Sequence, residues 1–94
     1  MEVEYDPVKC TENIKKRGLS FELVRDFDLD TALVWQDLRY DYDGEVRFIS
    51  IGYIGSRLHS LVFTPRGEVL RVISLRKANS REVTRYDKYA NPKF

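Results

Sequence analysis

Three apolar runs lie between residues 46 and 76, separated by only a few turn-forming residues. Residues 46–53 read V-R-F-I-S-I-G-Y, residues 58–64 read L-H-S-L-V-F-T, and residues 69–76 read V-L-R-V-I-S-L-R. β-branched and aromatic residues dominate them, which is a strand signal. Gly55-Ser56 separates the first pair and Pro65-Arg66-Gly67 the second. Glycine tolerates φ > 0, and proline pre-sets the second position of a turn. Connections this short join antiparallel neighbours only, so the spacing predicts a three-stranded meander against which the rest of the chain must pack.

Helix signals flank the meander. Asp6-Pro7 caps and starts a helix that runs to about Arg17, with Gly18 at the position past its end. Its closing Lys15-Lys16-Arg17 complements the negative end of the helix dipole, a structural role that needs no ligand. Ser20 caps a second, shorter helix whose Phe21, Val24 and Phe27 recur at i, i+3 and i+6. Residues 1–5 read as a short edge strand, and residues 32–35 as an edge strand or an extended segment. Residues 37–44 (D-L-R-Y-D-Y-D-G) read as a solvated loop, because they lack the closing Glu and the spacing of a calcium-binding loop. Asn79, with Glu82 three residues on, has capping-box spacing and starts a helix over about 80–89, with Val83 and Tyr86 inward and 91–94 as a tail. The pattern predicts one α+β domain over 1–94: two N-terminal helices, an antiparallel sheet of three to four strands and a C-terminal helix.

The net charge of +1 hides an asymmetry. Residues 1–43 carry 6 Lys/Arg against 11 Asp/Glu, and residues 44–94 carry 10 against 4. A basic half fits a polyanion-binding surface; the other reading is that the two halves pair across the fold and cancel. No apolar run approaches the roughly 18 residues of a membrane span. Met1 to Tyr5 is acidic and has no signal-peptide pattern. A lone Cys10 and a lone His59 predict neither a disulfide nor a zinc site, and point to a reducing, cytoplasmic setting. There is no P-loop, dinucleotide fingerprint, nucleophile elbow or Cys–His pair, so no cofactor is expected.

The cations carry the chemistry. Arg47, Arg71, Arg76, Lys77 and Arg81 cluster in sequence with Glu45 and Glu82. They make either an ion-pair network over a sheet face or a phosphate site, for which the planar guanidinium is suited. Arg71 and Arg76 are an odd number apart, so without a bulge they face opposite sides. Arg81, Arg85 and Lys88 share one helix face. Tyrosines 40, 42, 53, 86 and 89 offer stacking surfaces for bases, although at least half belong to a core or its rim. His59, mid-strand, reads as structural or exposed rather than catalytic.

A set of ordered blocks spans about residues 4–86: Tyr5-Asp6-Pro7-x-Lys9, Asn13-x-x-Lys16-Arg17-Gly18-Leu19-Ser20-Phe21, Gly44-Glu45-x-Arg47, Arg71-x-Ile73-Ser74-x-Arg76-Lys77-Ala78 and Arg81-Glu82-x-x-x-Tyr86. Together they resemble the BrnT family of bacterial toxins. The resemblance implies a compact RelE-like fold and ribonuclease activity within a type II toxin–antitoxin pair. It also implies a BrnA-like ribbon–helix–helix antitoxin, and contact with operator DNA only through that antitoxin. Where the family reads Lys-His-Gly this chain has Lys16-Arg17-Gly18, and an arginine cannot act as a base. RNA cleavage by 2′-OH attack needs a base, an acid and cations around the charged transition state, and no metal. On that scheme Glu45 is the base, Arg47 and Arg76 clamp the phosphate, Lys16 adds charge stabilisation, and Arg17, Arg71, Lys77, Arg81 and Arg85 hold RNA. The alternative is a non-catalytic module that docks a partner or binds nucleic acid.

Overall fold

The structure, a computed structural model, describes residues 2–90; Met1 and the expected tail over 91–94 lie outside the described residues. In chain order the elements are β1 (Glu2–Glu4), α1 (Pro7–Arg17), a 3₁₀ helix (Phe21–Asp26), β2 (Leu33–Gln36), β3 (Phe48–Ile54), β4 (Arg57–Arg66), β5 (Val69–Lys77) and α2 (Ser80–Tyr89). The meander β3-β4-β5 forms as its turns require, with Gly55 at φ 60° and Gly67 at φ 63°. Pro65 falls in β4 rather than in the turn, pairing with Leu70. It lies beyond the last β3–β4 pair, Phe48↔Phe63, where one side of β4 is open and a missing N–H is tolerated.

The sheet has five strands in the order β1-β5-β4-β3-β2, rather than three to four, and it is mixed. β1 pairs in parallel with β5 through Glu2↔Val69, Val3↔Leu70 and Glu4↔Arg71, and β2 pairs antiparallel with β3. The physical reason is the open edge: a three-stranded meander leaves two rows of unpaired backbone groups, and each short flanking segment covers part of one. β1 reaches only as far as Arg71. Beyond it α1 takes over, where the Asn13 side-chain amide donates to the carbonyls of both Leu75 (3.0 Å) and Leu19 (2.8 Å).

Both helix starts match their sequence signals. Asp6 caps α1, which ends at Gly18 with φ 70°. Asn79 and Glu82 form a reciprocal capping box on α2. The second N-terminal helix is a 3₁₀ helix, and this explains its apolar spacing. Residues at i, i+3 and i+6 drift around an α-helix but eclipse one another on three residues per turn. Phe21, Val24 and Phe27 therefore all point into the core.

That core lies on one face of the sheet, where Cys10, Leu19, Phe21, Val24 and Phe27 pack on Leu61, Phe63, Leu70, Val72 and Leu75. Gly52 permits the contact, since a Cβ there would stand 2.7 Å from the Phe27 ring. On the opposite face α2 lays Tyr86 on Ile51, Leu58 and Ala78. The Tyr86 ring meets Tyr53 edge-on, and its hydroxyl donates to the Thr31 carbonyl at 3.0 Å. His59 is buried and pairs with Gly52, on the sheet face away from α2. Among the described residues no helix is long and apolar enough to cross a membrane.

One irregularity governs the rest. Val62 pairs with Ser74 while Phe63 pairs with Val72, so Ile73 is an extra residue in β5. The bulge shifts the alternation by one. Leu70, Val72 and Leu75 all enter the α1-side core, and Arg71, Ser74 and Arg76 all fall on the α2 side.

Candidate active site

α2 covers only part of its face of the sheet. The uncovered part forms the floor of a cleft of about 560 Å³, made of Trp35, Ile49, Ser60, Val62 and Ser74. Its rim is polar: Arg39 comes from the loop after β2, Arg76 from the end of β5, and Asn79, Arg81, Glu82 and Arg85 from the start of α2 and the turn before it. The rim thus carries four guanidiniums and one carboxylate, a field that favours a polyanion.

Each wall is oriented by its own anchor. Arg76 meets Glu82 in a bidentate pair, with N–O distances of 2.7 and 2.9 Å. Glu82 is fixed in turn, because its Oε1 also accepts the Asn79 backbone N–H at 2.9 Å. Burial alone would raise the Glu82 pKa. The bonds from Arg76, Asn79 and the Ser60 hydroxyl outweigh it, and the carboxyl is held below its ordinary value. Across the cleft, Arg39 donates through Nε and Nη2 to Asp37, each at 2.9 Å. Asp37 also accepts the Arg39 N–H and the Tyr42 hydroxyl. The Arg39 bonds hold the buried Asp37 carboxyl far below the usual carboxylate range, against the opposing effect of burial. The 37–44 segment, expected to be solvated, is thus organised by a buried aspartate. Arg85 sits over Trp35, its guanidinium carbon 4.2 Å from the ring centroid.

Of the nine residues singled out from sequence, the cleft gathers Arg76, Arg81 and Arg85. Glu45 and Arg47 pair with each other at 2.8 Å, and Arg47 stacks on Tyr42. The Arg47 bonds hold the Glu45 carboxyl below its ordinary value. Arg66 links Glu45 (3.6 Å) to Glu4 (3.9 Å), and Arg71 joins Glu4 at 3.4 Å. Along β4 from Ser60, the partner of Arg76, Arg66 is six residues away, roughly 20 Å, and Thr64, the partner of Arg71, is four residues away, roughly 13 Å. Glu45 thus stands toward the far end of the sheet from Arg76. Arg71 and Arg76 do share a face, through the bulge. Lys16 lines a separate groove with Lys9, Glu12, Asn13, Phe21 and Ile73 on the α1 side. Arg17 is exposed at the end of α1, and Lys77 is exposed at the end of β5, one residue out of phase with Arg76. Sequence reasoning gave no site role to Arg39, Trp35, Ser60 or Glu82. For Glu82 a signal existed, since a capping-box glutamate beside a strand-end arginine is placed to bind it. Among the described residues no three His, Cys, Asp or Glu side chains come together as a metal-ligand set.

A sheet flanked by helices, with an arginine-rimmed cleft on its half-covered face, defines an α+β domain whose site suits a polyanion. The family described as "Ribonuclease toxin, BrnT, of type II toxin-antitoxin system" matches residues 5–82, and the chain belongs to that family. It is a ribonuclease toxin of a type II toxin–antitoxin system, neutralised by an antitoxin. Its α+β architecture agrees with the RelE-like fold implied by the sequence. No curated protein and no solved structure matches the chain.

Proposed function

We propose that this toxin cleaves RNA in the cleft beside α2 without a metal ion. A ribose 2′-OH, giving its proton to a carboxylate, attacks the adjacent phosphate and the P–O5′ bond breaks. The products are a 2′,3′-cyclic phosphate and a 5′-hydroxyl that takes its proton from water. Four guanidiniums around one carboxylate carry this reading. Such attack builds negative charge on the phosphate oxygens, and preorganised cations in a concave site stabilise it. Arg76 is the central cation, already oriented by Glu82, and Arg81 and Arg39 hold the flanking backbone. Glu82 is the base: it is ionised at neutral pH and lies within bonding distance of Arg76. Glu45, the base expected from sequence, belongs to a network too distant for that role at Arg76. Arg17 lies outside the cleft, so its replacement of the family's usual histidine leaves the cleft intact. The antitoxin, of the BrnA-like ribbon–helix–helix kind, neutralises by covering the cleft and alone brings the toxin to operator DNA. The RNA cleaved is cytoplasmic, and its loss halts translation.

The test is cleavage of labelled RNA in EDTA by the wild type and by Arg76→Ala, Glu82→Gln and Glu45→Gln. Glutamine at 82 can still serve the capping box. Cleavage that survives chelation and drops roughly 10²- to 10⁴-fold in Glu82→Gln, with Glu45→Gln near normal, supports the assignment. The reverse order gives the base role to Glu45. Salt-sensitive binding without products moves the protein to the non-catalytic alternative.

A further inference from the structure

Trp35 is the chain's single tryptophan and stands on the edge strand β2, beside Ile49 on the cleft floor. Arg85, one turn along α2 from Arg81, lies over its indole at 4.2 Å. Two features set this contact apart from a clamp between helix and sheet. Arg85 forms no ion pair among the described residues, so no carboxylate fixes its charge there. Arg85 is also exposed and lines the cleft, so the guanidinium set over the indole remains accessible there. An apolar side chain at 85 would cover Trp35 more completely. A planar cation on an aromatic ring instead presents a flat surface, and unpaired nucleobases stack on guanidinium planes and on aromatic rings.

We propose that Arg85 and Trp35 form a shelf on which one unpaired nucleobase of the RNA stacks, next to the phosphate held by Arg76 and Arg81. The shelf rests on the reading of the cleft as the RNA site and adds a substrate requirement to it. The nucleotide at the shelf must be single-stranded, because a base inside a duplex has no free face to offer. Arg85 acts here through its planarity, whereas Arg81 acts through charge alone.

The closing experiment uses a short fluorescently labelled 2′-O-methyl RNA, which lacks the attacking hydroxyl, and the full wild-type chain. Binding is followed by anisotropy of the label and, with unlabelled RNA, by Trp35 emission. A series of oligonucleotides carries one abasic site at each position in turn. The shelf predicts that Trp35 emission changes along the anisotropy curve. One abasic position abolishes that change and weakens binding roughly ten-fold. Arg85→Lys, which keeps the charge and loses the plane, weakens binding similarly, whereas Arg81→Lys has less than a three-fold effect. Equal binding by wild type and Arg85→Lys, with every abasic position tolerated, overturns the shelf while RNA binding in the cleft stands. No binding by any oligonucleotide overturns the RNA reading of the cleft, and the shelf with it.

Discussion

On the α1 face of the sheet Leu61 and Leu75 are fully buried beneath Phe21 and Val24; on the α2 face their neighbours Val62, Ser74 and Arg76 line an open cleft. The same two strands supply both surfaces, because alternate residues point to opposite sides. Burying one such leucine is worth about 1.5–3 kcal/mol, while a partly exposed ion pair contributes about 0–1 kcal/mol. The α1 face therefore carries most of the stability, and the α2 face keeps an arginine-rich surface at modest cost. Stability and RNA cleavage should separate by the face a residue occupies.

Arg76→Ala is the sharpest test of that separation. RNA cleavage should fall roughly 10²- to 10³-fold, while urea unfolding shows a loss of only about 1 kcal/mol. A collapse of the fold in this variant would break the comparison. Gly52→Ala should do the opposite. Overpacking against Phe27 and Ala32 should cost about 1–3 kcal/mol, with cleavage per folded molecule unchanged. Asn13→Ala strips the amide from the Leu19 and Leu75 carbonyls at the β5 edge, and denaturant curves should show a loss of about 1 kcal/mol, since water can partly replace it. The smallest effect is in acid. The folded Glu82 carboxyl titrates below its ordinary 4.5, so the unfolded chain binds the proton first. Its stabilising contribution is full above that ordinary value and is lost as pH falls through the folded pKa. Unfolding curves at descending pH should therefore be flatter for Glu82→Gln than for wild type.

Much of the fold was legible in the sequence. Asp6-Pro7 and Gly18 bound α1, Asn79 and Glu82 start α2, and Gly55 and Gly67 sit in the two hairpin turns. These are local signals, set by one residue's φ or one side chain's reach. The site was legible only in part, since it depends on non-local partners. Arg81 and Arg85 were readable as one helix face, but nothing in the chain shows that this face borders Trp35. Asp37 reads as one of several loop aspartates, and only the fold buries it and aims Arg39 across the cleft. Lys16 is three residues from Asn13, yet the sheet itself separates it from Arg76. The odd spacing of Arg71 and Arg76 separates them only in a ladder without a bulge, and no pattern in 69–77 announces the extra residue at 73.

That extra residue makes the cleft depend on a slip of register more than on composition or chain length. Many side chains can stand at position 73 without disturbing which way Arg76 points. Loss of Ile73 would leave Val72 opposite Phe63 and Ser74 opposite Val62 in an unbroken ladder, so Leu75 and Arg76 would keep their faces. Drawing Ile73 into the ladder opposite Val62 would instead turn Ser74 to Lys77 over, driving Arg76 beneath α1 and Leu75 into the cleft. A slip of one residue, remote from any reacting atom, would then disarm the toxin and unsettle its core in the same stroke.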